Sequence, residues 1–269
     1  MIPLRRPEAD DDLLSQCADR TKRIRKLGAT SKAAQSQWSA GTVEKDGIRA
    51  LLLRMAPGVE RCMYCLNSTG TDIDHFEPKS RRPLRTFCWH NHLLACSRCN
   101  SNYKRTEYPC DDFGQCLLID PSVDDPFDHL MLLPASGTFK AKTRKGRETL
   151  RVFGLNDRFE LVSGRQDAYV RCCDVLIGWH RCVVDGDSGG AERRVHALHR
   201  EPFADVLRAI EDMARLPHAS LLLGSDELAT ALEAWSTTSR GTVPEGRLLT
   251  TVPPSRTETS AALPSRTDG

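Results

Sequence analysis

Apolar residues change their period along the chain, and each change marks a different kind of element. Leu13, Leu14, Cys17, Ile24 and Leu27 form a partly helical stripe. Asp10–Asp12 stand at its start, where acids favour a helix N-terminus, and Gly28 ends it. A second helix is predicted over 31–39 with Trp38 as its anchor. A third runs from Val43 or Glu44 to Met55, with Ile48, Leu51, Leu52 and Met55 on one face and Pro57-Gly58 as the stop. In Thr71–Phe76 the period shortens to two, with Ile73 on one side and the acids on the other, which predicts a strand. His92–Ala95 reads as a short return strand and Cys99–Arg105 as a short helix. A strand at Leu117–Ile119 follows, then an Asp/Pro-rich turn through 124–126 and a hairpin of Met131–Leu133 with Thr138–Lys140 around Ser136-Gly137. The helical period then returns over 145–153. Asn156 is expected to cap the next helix, which breaks at Ser163-Gly164 and resumes to about Cys182. Two more helices cover about 191–214 and 225–236.

From Thr237 to Gly269 the residues are mainly Ser, Thr, Pro, Arg and Gly. Such a segment cannot bury a core and is expected to be disordered. The pattern therefore predicts an α+β, mainly α-helical chain in four parts. These are an N-terminal helical region (1–58), a small irregular module (59–110), a mostly helical C-terminal region (111–236) and a disordered tail (237–269).

Charge and cysteine content sharpen the view of 59–110. The 269 residues carry a formal net charge of only +2, which argues against a wholly basic nucleic-acid coat. Within 61–108, however, eight Lys and Arg residues face four Asp and Glu residues. A local basic surface suits a phosphate-bearing partner, and a merely solvated face is the plainer reading of the same charges. The N-terminal stretch has no apolar signal region and no apolar run approaches the ~20 residues of a membrane span. A soluble, cytoplasmic protein without membrane attachment is expected. In that compartment the 11 cysteines are expected as thiols or metal ligands. Cys17, Cys88, Cys110, Cys116, Cys172, Cys173 and Cys182 lack ligand spacing and read as free thiols.

The other four form two Cys-x-x-Cys pairs, Cys62/Cys65 and Cys96/Cys99. Four thiolates at this spacing can close a tetrahedral Zn²⁺ site, structural because no coordination position stays open. Incidental thiols and a redox dithiol are the rival readings. Between the pairs stands Asp74-His75. Histidine suits a general base near neutral pH. Asp74 is aimed at a divalent cation, Mg²⁺ or another, that acts as a Lewis acid, and Asn100 supplies a second ligand. Asn91 is assigned to holding the loop that orients His75. Lys104, one helical turn beyond Asn100, suits a phosphate oxygen, with Lys79, Arg98 and Arg105 as further nucleic-acid contacts. His90 and His92 flank Asn91 as loop residues first and alternative metal contacts second.

In this order, Cys-x-x-Cys, Asp-His, a central Asn, and Cys-x-x-Cys followed at once by Asn with a nearby Lys, the segment Cys62–Lys104 resembles the HNH endonucleases, the ββα-metal nuclease family. Asn100 stands where many members have His. The resemblance implies a zinc-stapled ββα-metal core between helical regions, a metal-dependent DNA-cleaving activity and His75 as general base. A finer similarity rests on DIDHFEPKS, Trp89-x-Asn91, LLACSRCNSNYKR, LLIDPSVDDPFDHL and RVFGLN. These segments resemble the HNH nucleases of Septu-type and some retron-type antiphage systems, which implies antiviral defence beside an ABC-like ATPase partner. The rival from the residues alone is a non-catalytic, zinc-stabilised DNA-binding module, which needs the cysteines but not Asp74, His75 or Asn100.

Overall fold

A computed structural model describes residues 1–239. Most of the sequence-predicted tail, from residue 240 on, lies outside them. Three N-terminal helices come first: α1 (Asp11–Lys26), α2 (Ser31–Ala40) and α3 (Thr42–Met55). Side-chain caps start the first two, Asp10 accepting from Leu13 N and Thr30 from Ala33 N. Ile24, Ala34, Ile48 and Leu52 are buried where the three helices meet the central module. Arg20 on α1 pairs with Glu44 on α3 at 2.8 Å, fixing their crossing.

The module itself is a two-stranded antiparallel sheet with a helical segment after it. Strand β1 (Asp72–His75) pairs with β2 (His92–Ala95) in the register Asp72↔Ala95, Ile73↔Leu94, Asp74↔Leu93 and His75↔His92. The segment Arg98–Lys104 then coils with π-type geometry, closed by a bond from Arg105 N to Asn100 O at 2.7 Å.

Beyond the module, Leu117–Ile119 is not a strand; Ile119 N instead donates to Thr149 Oγ1 at 2.9 Å. The acidic turn leads into α4 (Pro126–His129), whose N-cap Asp125 accepts from Phe127 N. The second hairpin pairs β3 (Leu130–Leu133) with β4 (Thr138–Ala141). It is followed by α5 (Arg144–Phe153) and the long α6 (Phe159–Val184).

Two expectations about α6 fail for packing reasons. Asn156 does not cap it: its amide bonds both backbone groups of Phe139 at 2.8 Å and pins β4. Gly164 does not break it either. A Cβ there would meet the Phe203 ring at 2.5 Å, so that glycine makes room for an aromatic side chain within a continuous helix. Arg165, fully buried, ties α6 to the hairpin by donating to Gly137 O at 2.7 Å and Leu155 O at 2.9 Å.

The single helix expected over 191–214 is two, α7 (Ser188–Arg200) and α8 (Ala204–Ala214), separated at Glu201-Pro202. Proline disfavours helical geometry in the residue before it, which gives the split a local cause. Helix α9 (Ala219–Leu223) and α10 (Asp226–Ser239) complete the fold, so residues 237–239, assigned to the tail by composition, are helical. Trp179 on α6 meets Trp235 on α10 edge-on at 5.0 Å, and the Trp235 indole donates to Glu211 on α8 at 2.8 Å. Phe203 N, at the start of α8, bonds Leu66 O at 3.1 Å and so reaches back to the first cysteine knuckle. The architecture is mainly α-helical with two small antiparallel sheets. Among the described residues no helix is long and apolar enough to cross a membrane.

Candidate active site and metal centre

The two cysteine knuckles come together because β2 delivers Cys96 and Cys99 beside the 62–65 turn. Met63 N bonds Leu94 O at 2.8 Å across that junction. The sulfurs of Cys62, Cys65, Cys96 and Cys99 are buried and lie within 4.8 Å of one another. A tetrahedral Zn²⁺ with ~2.3 Å bonds needs sulfur separations of about 3.8 Å; Cys65 and Cys96 stand 3.9 Å apart. The donor set and its geometry fit a structural metal such as zinc. Burial pushes the Cys62 thiol up, while hydrogen bonds from Cys62 and its neighbours hold Cys65 well below the usual thiol value. Arg158, 2 % exposed at the start of α6, donates to Cys99 Sγ at 3.3 Å and lies over the Tyr103 ring at 4.9 Å. Nothing in the local sequence marks it, because it approaches from 59 residues away.

Strand β1 divides the remaining candidates between two faces, since its side chains alternate. Asp72 and Asp74 share the face towards the 98–104 helix. Asn100 Nδ2 donates to Asp72 Oδ2 at 3.1 Å, and Lys104 Nζ donates to Asp74 Oδ1 at 3.0 Å and to His75 O at 2.8 Å. The phenol of Tyr64, from within the first knuckle, donates to the other oxygen of Asp74. Tyr64 is itself fully buried and stacks on Phe153 at 4.1 Å.

This arrangement differs from the sequence reading in two respects. Asn100 meets Asp72, not Asp74. Lys104 is fully buried, so its ammonium neutralises Asp74 and does not face a phosphate. The second has a physical reason: a carboxylate enclosed at 2 % exposure, as Asp74 is, takes the nearest cation the fold provides. As arranged, Asp74 and Asn100 do not fit a shared divalent cation.

The opposite face carries His75. Its Nε2 lies 3.0 Å from Thr86 O, and His92 Nε2 lies 2.9 Å from the same oxygen. A carbonyl only accepts, so both Nε2 atoms carry hydrogen and His75 Nδ1 keeps its lone pair. That Nδ1 faces Lys79 Nζ at 3.5 Å. Trp38 from α2 packs edge-on against His75 at 4.4 Å and stacks on His92 at 5.4 Å. Burial, then His92 and Lys79, push the His75 pKa well below the usual imidazole value, against the Thr86 bond. Burial takes His92 to about 3. Both rings are neutral at neutral pH. Burial also lowers Lys79, with Asp74 opposing.

Asn91 is buried behind this face. Its Oδ1 accepts from Glu77 N at 2.9 Å, and its Nδ2 donates to Glu77 O at 3.0 Å and Arg85 O at 3.2 Å. It thus clasps both ends of the 77–85 loop, next to the carbonyl that orients His75. Glu77 in turn gathers Arg85 at 2.8 Å, Arg82 at 3.3 Å and Arg81 at 3.4 Å. Arg6, from the N-terminal lead-in, donates to the carbonyls of Trp89 at 3.2 Å, His92 at 2.9 Å and His90 at 3.3 Å. Of the residues assigned to nucleic acid, Arg98 and Arg105 are exposed and Lys79 is half-buried; Arg98 is paired with Glu160 at 2.7 Å. Trp38, Tyr64, Arg6 and Arg158 are the contributors that sequence reasoning missed.

No family model matches the chain, and no solved structure matches it significantly. A curated relative does: the Septu protein PtuB of Bacillus mycoides (strain KBAB4), 27 % identical over 143 residues. The alignment takes in 42 % of this chain and 48 % of the relative, so the chain spans about half the length of the curated relative it matches.

Proposed function

We propose that the chain is an HNH-type endonuclease that hydrolyses phosphodiester bonds in DNA, acting in antiphage defence with an ABC-like ATPase partner. One observation carries the catalytic part of the reading: the neutral His75 imidazole, with Nε2–H anchored on Thr86 O and Nδ1 left as an acceptor beside Lys79. A general base needs a fixed tautomer and an imidazole that stays neutral at the working pH, and the Thr86 bond and burial supply both. The antiparallel β1–β2 pair followed by the 98–104 helix supports a ββα core, and the four-cysteine cluster supports a zinc staple. The similarity to a Septu protein supports the defence context.

In this reading a water takes the place of Lys79 Nζ at Nδ1 of His75 and loses its proton to the imidazole as its oxygen attacks phosphorus, while the P–O bond to the leaving sugar oxygen breaks and that oxygen takes a proton from solvent. Nε2 keeps its hydrogen on Thr86 O throughout, and the carbonyl stabilises the imidazolium that forms. Asn91 holds the loop from Glu77 to Arg85, which keeps that carbonyl in place. Lys79 presents positive charge to the phosphate at the same point. Arg105 and Arg98 extend the basic surface along the duplex. The buried Asp74–Lys104–Tyr64 cluster fixes the strand that carries His75.

The test is cleavage of supercoiled plasmid, with and without Mg²⁺ or Mn²⁺ and with the ATPase partner added. Wild type is expected to nick or linearise the plasmid, and His75→Ala is expected to lose roughly 10²–10⁴-fold in rate with its zinc retained. Cleavage by His75→Ala at the wild-type rate refutes the assignment of the base. A second reading is favoured by the engagement of Asp74 with Lys104, which leaves no open cation ligand there. On that reading the chain is a zinc-stabilised DNA-binding module. It would retard the plasmid in a gel and leave it supercoiled under every condition above.

A further inference from the structure

Seven cysteines lie outside the four-thiol cluster, and two of them face each other. Cys110 and Cys116 oppose one another in an isolated antiparallel bridge. The flanking bonds run from Asp111 N to Gln115 O at 3.0 Å and from Leu117 N to Pro109 O at 2.8 Å. Neither uses the peptide groups of Cys110 or Cys116, so the pair occupies a non-hydrogen-bonded position of the ladder. Opposed Cα atoms there stand about 4.5 Å apart with their side chains leaning together. A disulfide spans Cα separations of roughly 4.4–6.8 Å, so closing one here needs no change of register.

The surroundings distinguish the two sulfurs. Both residues are half-exposed free thiols. Arg81 Nη2 donates to Cys110 Sγ at 3.3 Å, and the Cys110 thiol points to Tyr108 O at 3.6 Å, so this sulfur sits at the surface beside a cation. Cys116 Sγ accepts from Leu118 N at 3.3 Å, and burial pushes its thiol up. Cys110 is therefore the sulfur poised to react first, with Cys116 across the ladder to resolve it. No strand pairing among the described residues opposes any other two cysteines.

We propose that Cys110 and Cys116 form a reversible redox site, a dithiol that a hydroperoxide converts to an intrachain disulfide. The Cys110 thiolate attacks one peroxide oxygen, the O–O bond breaks, and the departing hydroxide takes a proton to leave as water. Cys110 becomes a sulfenic acid. The Cys116 sulfur then attacks that of Cys110, forming S–S and breaking S–O, and a second water leaves. Two electrons pass from the dithiol to hydrogen peroxide. Exchange with two small-molecule thiols returns both cysteines and leaves the small molecule as its own disulfide.

Trypsin makes the test specific, because the peptide spanning 106–140 contains these two cysteines and no other. The zinc-loaded full chain is treated with hydrogen peroxide at a level that releases no zinc to a chromophoric chelator. It is then blocked with N-ethylmaleimide in denaturant and digested without reductant. The expected peptide carries no maleimide and is about 2 Da lighter than the dithiol form; dithiothreitol before blocking restores two maleimide additions. In Cys116→Ser, Cys110 is expected to trap dimedone as its sulfenic acid. In Cys110→Ser, Cys116 is expected to stay maleimide-reactive. Arg81→Met should slow disulfide formation several-fold. The proposal is overturned if the wild-type peptide keeps two maleimides after peroxide treatment that oxidises other thiols of the chain. It is equally overturned if Cys110 goes to sulfinic acid or links to a cysteine other than Cys116.

Discussion

Lys104→Met removes the ammonium at the centre of the module while keeping most of the side chain's volume. The ion pair it breaks is enclosed, at 3.0 Å, with side-chain exposures of 0 % for Lys104 and 3 % for Asp74. At an effective dielectric of ~20 the gross attraction at that 3.0 Å separation is about 5 kcal/mol. Desolvating the two ions costs several kcal/mol each, so the intact pair adds little net stability. Breaking it is different. Asp74 would keep only the Tyr64 phenol, and an uncompensated buried charge costs about 3–5 kcal/mol. That is a large share of the ~5–15 kcal/mol that holds an ordinary domain together. The same asymmetry predicts that Asp74→Asn alone also destabilises, because it strands the lysine. The double substitution should return most of the loss, leaving about 1 kcal/mol for the lost bond to His75 O.

The assay is urea denaturation of all four proteins with saturating zinc, read by far-ultraviolet circular dichroism and tryptophan fluorescence. The coupling energy of the cycle should exceed about 2 kcal/mol. An unchanged midpoint in Lys104→Met, or single effects that simply add in the double variant, refutes the burial argument. If Lys104→Met does not fold at all, recovery in the double variant carries the test, and failure of both refutes it.

Zinc should be stoichiometric at one ion per chain by metal analysis. Cys96→Ser should lose that ion together with the near-ultraviolet circular dichroism of the module, since structural zinc contributes roughly 10–16 kcal/mol in small zinc modules. Arg158→Met should hasten zinc transfer to a chelator by about 10–100-fold, with Arg158→Lys intermediate, because the guanidinium offsets thiolate charge at Cys99. An unchanged transfer rate would mean that Arg158 serves only to pack α6 against Tyr103.

The parts of the fold legible in the sequence are those with a local cause. Asp10 announces α1 because a cap needs only a side chain and an amide three residues on. The two cysteine pairs announce their cluster because ligand spacing is a property of a turn. Gly164 and Asn156 misled because each answers a distant residue, the Phe203 ring and the backbone of Phe139. Pro202 is a local signal against one helix over 191–214, but the apolar stripe through Val195, Leu198, Phe203 and Val206 runs across it and masks the stop. The site divides in the same way. Asp74, His75, Asn91 and the cysteines could be named from their order. Trp38, Tyr64, Arg6 and Arg158 could not, since their contacts to the site are contacts of tertiary structure. The exchange of partners between Asp72 and Asp74 was equally invisible. It depends on how the π-type segment meets β1, bringing Asn100 to one carboxylate and Lys104 to the other.

Arg6 also bears on the order in which the chain can organise itself. Its guanidinium bridges 83–86 residues to close on three carbonyls of the 89–92 turn. Contacts of that sequence separation form late, after the loop-closure entropy has been met by other packing. The β1–β2 hairpin and the cysteine knuckles are local by comparison and can assemble around metal early. The turn that ends in Asn91 and His92 would then acquire its final set last, when the N-terminal lead-in docks. A chain caught before that step would hold its strands yet lack the three Arg6 bonds that close the 89–92 turn.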